Sequence, residues 1–381
     1  MSAAQWRRAM STGLAGAAPR VPVGRTAAPS PAPAADPFAH SDAPRWLKHL
    51  WRTLAPRHVF TALLVLIFPF VATPFFTFQV ASQSLVLGLI ALSLTFLAGY
   101  GGMVSLAQMT VAGIAGYTMA VLGTSSSPEI SLGWPWWVAV PAAVLLATVC
   151  SALIGWLSVR TEGIYTIMIT LAIGVAFYYI VLQNYSVFNG FQGLRELKPP
   201  TVFGVQWRDP LPFYFLCLFW AGAGYFLVRY VVRAPFGIAL QGIRDNPRRM
   251  EALGYGVVAH RVAAYALSGL LAAVAGILLA WYNALMTPGS VGTGWLINIL
   301  VIAVLGGMKH PIGAFLGALV FVLLQTFAID VIDRERFNLV IGTVFLAIVL
   351  FSPDGLLGLW AKLRSRLSPT QAMTSPQRRQ P

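Results

Sequence analysis

The sequence predicts an all-α polytopic membrane protein of about ten transmembrane helices, and three observations predict it. Of 381 residues, 57% are hydrophobic and only 10% are charged, against about 45–50% and about 25% in globular domains. From Val59 to Val159 the only formal charge is Glu129, whereas one bilayer crossing takes about 20 apolar residues. The remaining charge falls on alternate connecting segments. This balance excludes a large soluble enzyme and a wholly disordered chain, and two cysteines exclude a disulfide scaffold.

Residues 1–58 form a basic, Ala/Pro-rich tail with Arg7, Arg8, Arg20, Arg25, Arg45, Lys48, Arg52 and Arg57. Its composition cannot bury a core and predicts disorder. Arg20 interrupts any apolar run after Arg7 and Arg8, so a signal peptide fits poorly. A membrane domain follows over 59–360, with apolar spans expected at 59–76, 79–100, 103–124, 135–158, 163–183, 211–231, 262–285, 294–308, 311–329 and 338–352. A second basic tail occupies 361–381.

An even number of spans puts both termini on one side. That side then holds 21 basic and six acidic residues, a net +15, and the other holds five basic and six acidic, a net −1. Cytoplasmic loops collect Lys and Arg, so both termini are expected in the cytoplasm, with 125–134, 184–210, 286–293 and 330–337 outside. The overall charge of +14 therefore reports orientation and gives no ground for a nucleic-acid partner. Internal self-similarity is limited to GGM at Gly101–Met103 and Gly306–Met308, too little to establish a repeat.

Several chemistries lack their residues. No Asp or Glu falls inside an expected span, with Glu162 at a boundary, and coupled carriers keep an ionisable group at membrane depth. Lys48, Lys198, Lys309 and Lys362 are not set in a Walker A pattern. The five histidines are scattered without ligand spacing, and Cys150 and Cys217 sit singly in apolar segments, as small hydrophobes do. No catalytic residue, metal ligand or cofactor is expected, and the chain is not expected to be an enzyme.

Two segments stand out. The loop 232–261 carries Asn246 as a good N-cap, Pro247 for the first helical position and Gly254 beyond the end, predicting a short helix over 247–253. Arg248 and Glu251 are spaced to pair, and Met250 with Leu253 forms a small apolar knob outside any span. The helix either lies on lipid headgroups through its arginines or fits a socket on a cytosolic partner. The stretch 99–122 is rich in small residues (Gly101, Gly102, Ser105, Ala107, Gly113, Ala115, Gly116) with Gln108 and Thr110 at membrane depth. Interhelical hydrogen bonding is the favoured reading of such groups, and a polar pathway lining is the alternative.

Ala234–Gly254, APFGIALQGIRDNPRRMEALG, resembles the coupling segment of the branched-chain amino-acid ABC importer permeases of LivM type, SPFGRALRAIRDNExAAEALG. Residues 102–117 are similar to GQVSLGHAAFFGIGAY, with Gly102, Val104, Ser105, Leu106, Gly113, Ile114 and Tyr117 in place. Arg160–Gly174 looks like RLRGIYFAIVTLAFG, Val304–Ala318 looks like VLGGLGTLWGPVLGA, and Asp354–Leu359 fits the family's ending. The resemblance covers about residues 80–360 with four ordered motifs and that ending. The chain departs from it at Ala107 and Met109, at Met308–Lys309–His310, and at the more basic Pro247–Arg248–Arg249.

The resemblance implies an ABC importer permease bundle in a bacterial plasma (inner) membrane. It implies two cytosolic ABC ATPase subunits, a second permease of LivH type and an extracytoplasmic substrate-binding protein as partners, with membrane lipid around the bundle and alternating access as mechanism. The implied substrates are branched-chain, neutral aliphatic amino acids, with urea or short amides as the alternative. A stand-alone channel or secondary transporter remains the reading from another class. ATPase coupling falls on Arg244, Asp245, Asn246, Met250, Glu251, Leu253 and Gly254, and candidate lining on Ser105, Gln108, Thr110, Tyr117, Tyr165 and Thr170.

Overall fold

A computed structural model of the chain describes residues 65–331 apart from 128, 162, 202–203 and 205, together with 342–343, 345–346, 350 and 355–359. The two tails, most of the expected outside segment 330–337, most of the expected span at 338–352 and the first third of that at 59–76 lie outside the described residues. The rest is helical, as its hydropathy requires, because a backbone in lipid must satisfy its own hydrogen bonds.

Among the described residues nine longer helices carry the fold. In chain order they are α1 (Phe76–Tyr100), α2 (Gln108–Leu122), α3 (Trp136–Ser158), α4 (Ile164–Gln183), α5 (Pro210–Arg233), α6 (Pro235–Asp245), then α8 (Val257–Asn283) after the short α7 (Pro247–Ala252), α9 (Thr293–Gly306) and, after a tight turn, α10 (Pro311–Val331). Prolines occupy the first turns of α5, α6 and α7, where a missing N–H costs nothing. Among the described residues, α1, α3, α4, α5 and α8 are long and apolar enough to cross a bilayer.

Three expected spans come out differently. The segment 103–124 is not one helix: residues 102–105 leave helical geometry, and α2 has only 15 residues, about 22 Å at 1.5 Å per residue, short of a core about 30 Å thick. The break starts where Gly102 takes φ +68°, a left-handed backbone that glycine adopts without a Cβ penalty. The segments 294–308 and 311–329 form a pair bent by 117°. Gly307 turns the chain at φ +100°, and the pair counts as one broken span or as a re-entrant loop.

The core gathers on α1, α2 and α8. The apolar window of α1 is 83% buried and that of α8 is 67%, against 22% for α4 and 33% for α3 and α5. The outer helices thus keep apolar faces free: Phe219, Phe226 and Tyr230 of α5 are 66–75% exposed. Small residues let the central backbones meet. A Cβ on Gly276 of α8 would fall on the Ala112 carbonyl oxygen of α2, so dispersion contacts and not apolar burial alone hold this pair.

The loops sort onto two ends. At one end a two-residue ladder pairs Leu194 with Met286 and Arg195 with Leu285. Ser126 N–H donates to the Arg195 carbonyl at 3.0 Å, and Leu197 N–H to that of Ala284 at 3.2 Å. The segments expected outside, 125–134, 184–210 and 286–293, are thus stitched together. At the other end α6 lies beside Gly99–Gly102, and the Met308 carbonyl sits where a Cβ on Gly99 would be.

Candidate functional site

The site builds outward from α6 and α7. Asn246 sits between them in extended geometry, and its side chain accepts from Arg249 N–H at 3.0 Å. That occupies one of the donors a helix start leaves free. Gly254 closes the element at φ +87°. The caps read from the sequence are therefore the caps that form.

The side chains around them differ from expectation in two respects. Met250 is not half of a free knob: its sulfur lies 2.9 Å from where a Cβ on Gly242 would be, so it packs down onto α6. Leu253, by contrast, is 65% exposed. Arg248 and Glu251 are both exposed and do not pair; the ion pair on this element joins Arg244 to Asp245 at 3.0 Å. Exposed pairs gain little in water, so nothing compels the spacing to be used. The sequence reading missed Ile238, Tyr255 and Val258, which are 63%, 43% and 52% exposed. With Leu253 they put exposed apolar side chains among the exposed Arg248, Arg249 and Glu251. Ile238 stood out only as an apolar residue facing away from the buried Gly237, Ala239, Leu240 and Ile243 stripe of α6.

Arg244 ties this surface to the membrane domain. Its guanidinium donates to the Gly99 carbonyl at the end of α1 and, through Nε, to Asp245 at 3.0 Å. Its Cγ passes 2.5 Å from the position of a Cβ on Gly102. Leu240 of the same helix reaches to 3.8 Å from the corresponding position on Gly101. Movement of α6 therefore bears directly on the broken segment between α1 and α2.

That segment has its polar groups served by side chains. Leu106 N–H donates to Thr170 Oγ1 of α4 at 3.1 Å, and Ala107 N–H to Ser105 Oγ at 3.3 Å. Thr170 in turn bonds the Thr166 and Ile167 carbonyls at 3.0 Å. Non-helical backbone at membrane depth is tolerated only with such partners. One residue on, Gln108 Oε1 accepts from Ser93 of α1 and Ser268 of α8, both at 3.0 Å.

The six lining candidates do not share one surface. Ser105, Gln108, Thr110, Tyr117 and Thr170 are all buried. Gln108 faces α1 and α8. Thr110 and Tyr117, seven residues and so nearly two turns apart, face α4: Thr110 Oγ1 lies beside Gly174, and the Tyr117 ring meets those of Phe177 and Phe188 edge-on. Tyr165 is set apart at the start of α4, 66% exposed. Gln108 Nε2, Thr110 Oγ1 and the Tyr117 hydroxyl have no partner among the described residues.

No group of three or more His, Cys, Asp or Glu side chains is placed to hold a metal among the described residues. His260 is engaged structurally, stacked on Phe236 with ring centroids 5.7 Å apart and its Nδ1 2.9 Å from the Gly256 carbonyl.

Residues 76–349 match a family described as the branched-chain amino acid transport system permease component. The high-affinity branched-chain amino acid transport system permease protein LivM of Escherichia coli is 25% identical over 332 residues, 80% of this chain and 76% of that one. The probable branched-chain amino acid transport permease protein LivH of Methanocaldococcus jannaschii is 31% identical over 154 residues, 38% of this chain and 47% of its own. The ribose import permease protein RbsC of Haemophilus influenzae is 21% identical over 324 residues, 81% of this chain and 95% of its own. No solved structure matches.

Proposed function

The chain belongs to the branched-chain amino acid transport system permease component family, and from that premise we propose that it is a membrane subunit of an ATP-driven importer of neutral aliphatic amino acids. The LivM relative covers most of both chains, which supports this substrate class over urea or short amides; the ribose relative marks how far the shared sequence pattern extends. Two cytosolic ATPases, a LivH-type permease and an extracytoplasmic binding protein complete the proposed assembly, in a bacterial inner membrane. Both termini and α6–α7 face the cytoplasm, the side with the basic excess.

One observation carries the reading: an exposed, doubly capped element that presents apolar side chains is joined through Arg244 to the break in the membrane domain. A surface built on Ile238, Leu253, Tyr255 and Val258 suits an apolar socket on an ATPase. When nucleotide binding draws the ATPases together, α6 pulls on Gly99–Gly102, and the short α2 shifts against α1, α4 and α8. Ser105, Gln108, Thr110, Tyr117 and Thr170 face the substrate only in the conformation that this shift opens. Tyr165, already exposed, would line the pathway only where a partner permease covers it. Alternating access follows from the same lever.

Leu253→Asp tests the reading, because a carboxylate in an apolar socket costs several kcal/mol if it stays ionised. We expect normal membrane insertion, loss of ATPase from the purified complex and loss of amino-acid uptake, with Arg248→Ala close to wild type. Full ATPase retention by Leu253→Asp, combined with loss in Arg248→Ala, would overturn docking in favour of a helix held on lipid headgroups.

A further inference from the structure

At the end of the molecule that carries α6, a cavity of about 120 Å³ opens between α5 and the turn at 307–310. Tyr100, Tyr225, Arg229, Arg233 and His310 line it. Tyr225, Arg229 and Arg233 are spaced four apart on α5, so one helix face presents a phenol and two guanidiniums in a row. Arg229 Nη1 donates to the Tyr225 hydroxyl at 3.2 Å. Neither arginine has a carboxylate within ion-pair distance among the described residues, in contrast to Arg244. His310 Nδ1 accepts from Ile312 N–H at 3.3 Å. Burial pushes the ring's pKa down and the Arg229 charge adds to that, so the neutral ring carries its proton on Nε2 and is a donor there.

The lining is thus rich in donors and bears positive charge with no acid to balance it among the described residues. We propose that this cavity is a binding site for a phosphate group, supplied by the headgroup of an anionic phospholipid. Arginine matches phosphate geometry through paired N–H donors, and basic pockets between membrane helices at the cytoplasmic side hold such headgroups. The source follows from the neighbouring surface. Phe226 and Tyr230, on the same helix, are 68% and 75% exposed, and Phe219 continues the apolar face towards the middle of α5. A lipid with its phosphate between Arg229 and Arg233 would lay an acyl chain along these rings. The Met308 carbonyl packs at Gly99, so a bound headgroup also braces the turn that abuts the end of α1.

The test uses the full-length protein, purified in detergent and stripped of lipid, titrated with phosphatidylglycerol, phosphatidylcholine or inorganic phosphate and read by native mass spectrometry and thermal melting. Phosphatidylglycerol is expected to bind and raise the melting temperature, with affinity falling about five-fold for each of Arg229→Gln and Arg233→Gln and phosphatidylcholine binding weakly. Arg229→Lys, which keeps the charge, guards against a folding defect and is expected to restore most of the affinity. Stabilisation by inorganic phosphate alone, lost in the same Gln variants, supports the phosphate site with free phosphate as the source. Equal binding of the two lipids, or binding indifferent to both Gln variants, overturns the proposal. Asp354 precedes Gly355, which packs against Gly307; phosphatidylglycerol binding seen only in Asp354→Asn would likewise overturn it, by showing the charge to be met within the chain.

Discussion

Arg244 shows how much one side chain can decide. It lies on the membrane-domain side of an exposed element, 41% exposed, and bonds at once to a carbonyl of α1 and to its neighbour Asp245. Hydrogen bonds from charged donors are worth about 1.5–3 kcal/mol, less here because water reaches the group. Under the proposed coupling, Arg244→Ala keeps the ATPase bound but loosens the lever. ATP hydrolysis is expected to persist while uptake per ATP falls, measured together in proteoliposomes. Arg244→Lys is expected to recover only part, since an ammonium lacks the fork that spans both acceptors. Proportional loss of hydrolysis and uptake would assign Arg244 to docking instead. The residue was legible in the sequence as part of a motif, whereas its acceptor, 145 positions away, was not.

The break between α1 and α2 shows the same division for whole elements. Hydropathy made 103–124 look like one span, because Met103, Val104 and Leu106 are apolar whether or not they are helical. What ends the helix is local, the Gly101–Gly102 pair, but what makes the ending tolerable is distant: Thr170 of α4 accepts from Leu106 N–H. Gly102→Ala places a Cβ in a left-handed backbone, costing about 1–2 kcal/mol, and drives it against Arg244 Cγ. A lower melting temperature with uptake reduced more than expression is expected. An unchanged melting temperature would show that the backbone at 102 does not need glycine. The caps of α7 were fully legible, since Asn246, Pro247 and Gly254 act within one short segment. The packing of Met250 onto Gly242 was not, because a helical period places a residue on a face without saying what covers it.

For the whole molecule the alternation of loops is the firmest sequence result that the structure organises. The segments 125–134, 184–210 and 286–293 are hydrogen-bonded into one end, and α6–α7 with the 307–310 turn occupies the other. Inside and outside are assigned to those ends by the charge split alone. Single-cysteine labelling in intact cells is expected to reach Ser126→Cys from outside and to miss Arg248→Cys until the membrane is permeabilised. The reverse pattern would invert the assignment.

The sequence by itself determined that the chain is membrane-embedded and helical, which family it resembles, where the short helix α7 starts and stops, and which loops share a side. These are properties of composition and of neighbours within a few residues, and water, lipid and backbone geometry act on them locally. Only the tertiary structure decided that α2 is a half-length helix, that α9 and α10 fold back at 117°, and that the polar residues of α2 point to two different neighbours. It also decided that Arg229, Arg233 and His310 meet around one cavity. Each of these depends on which helices pack together, and a nearly uniform apolar sequence carries little record of that. In lipid, hydrophobicity drives insertion but not association, so the choice of partner falls to close glycine contacts and a few hydrogen bonds between residues far apart in the chain.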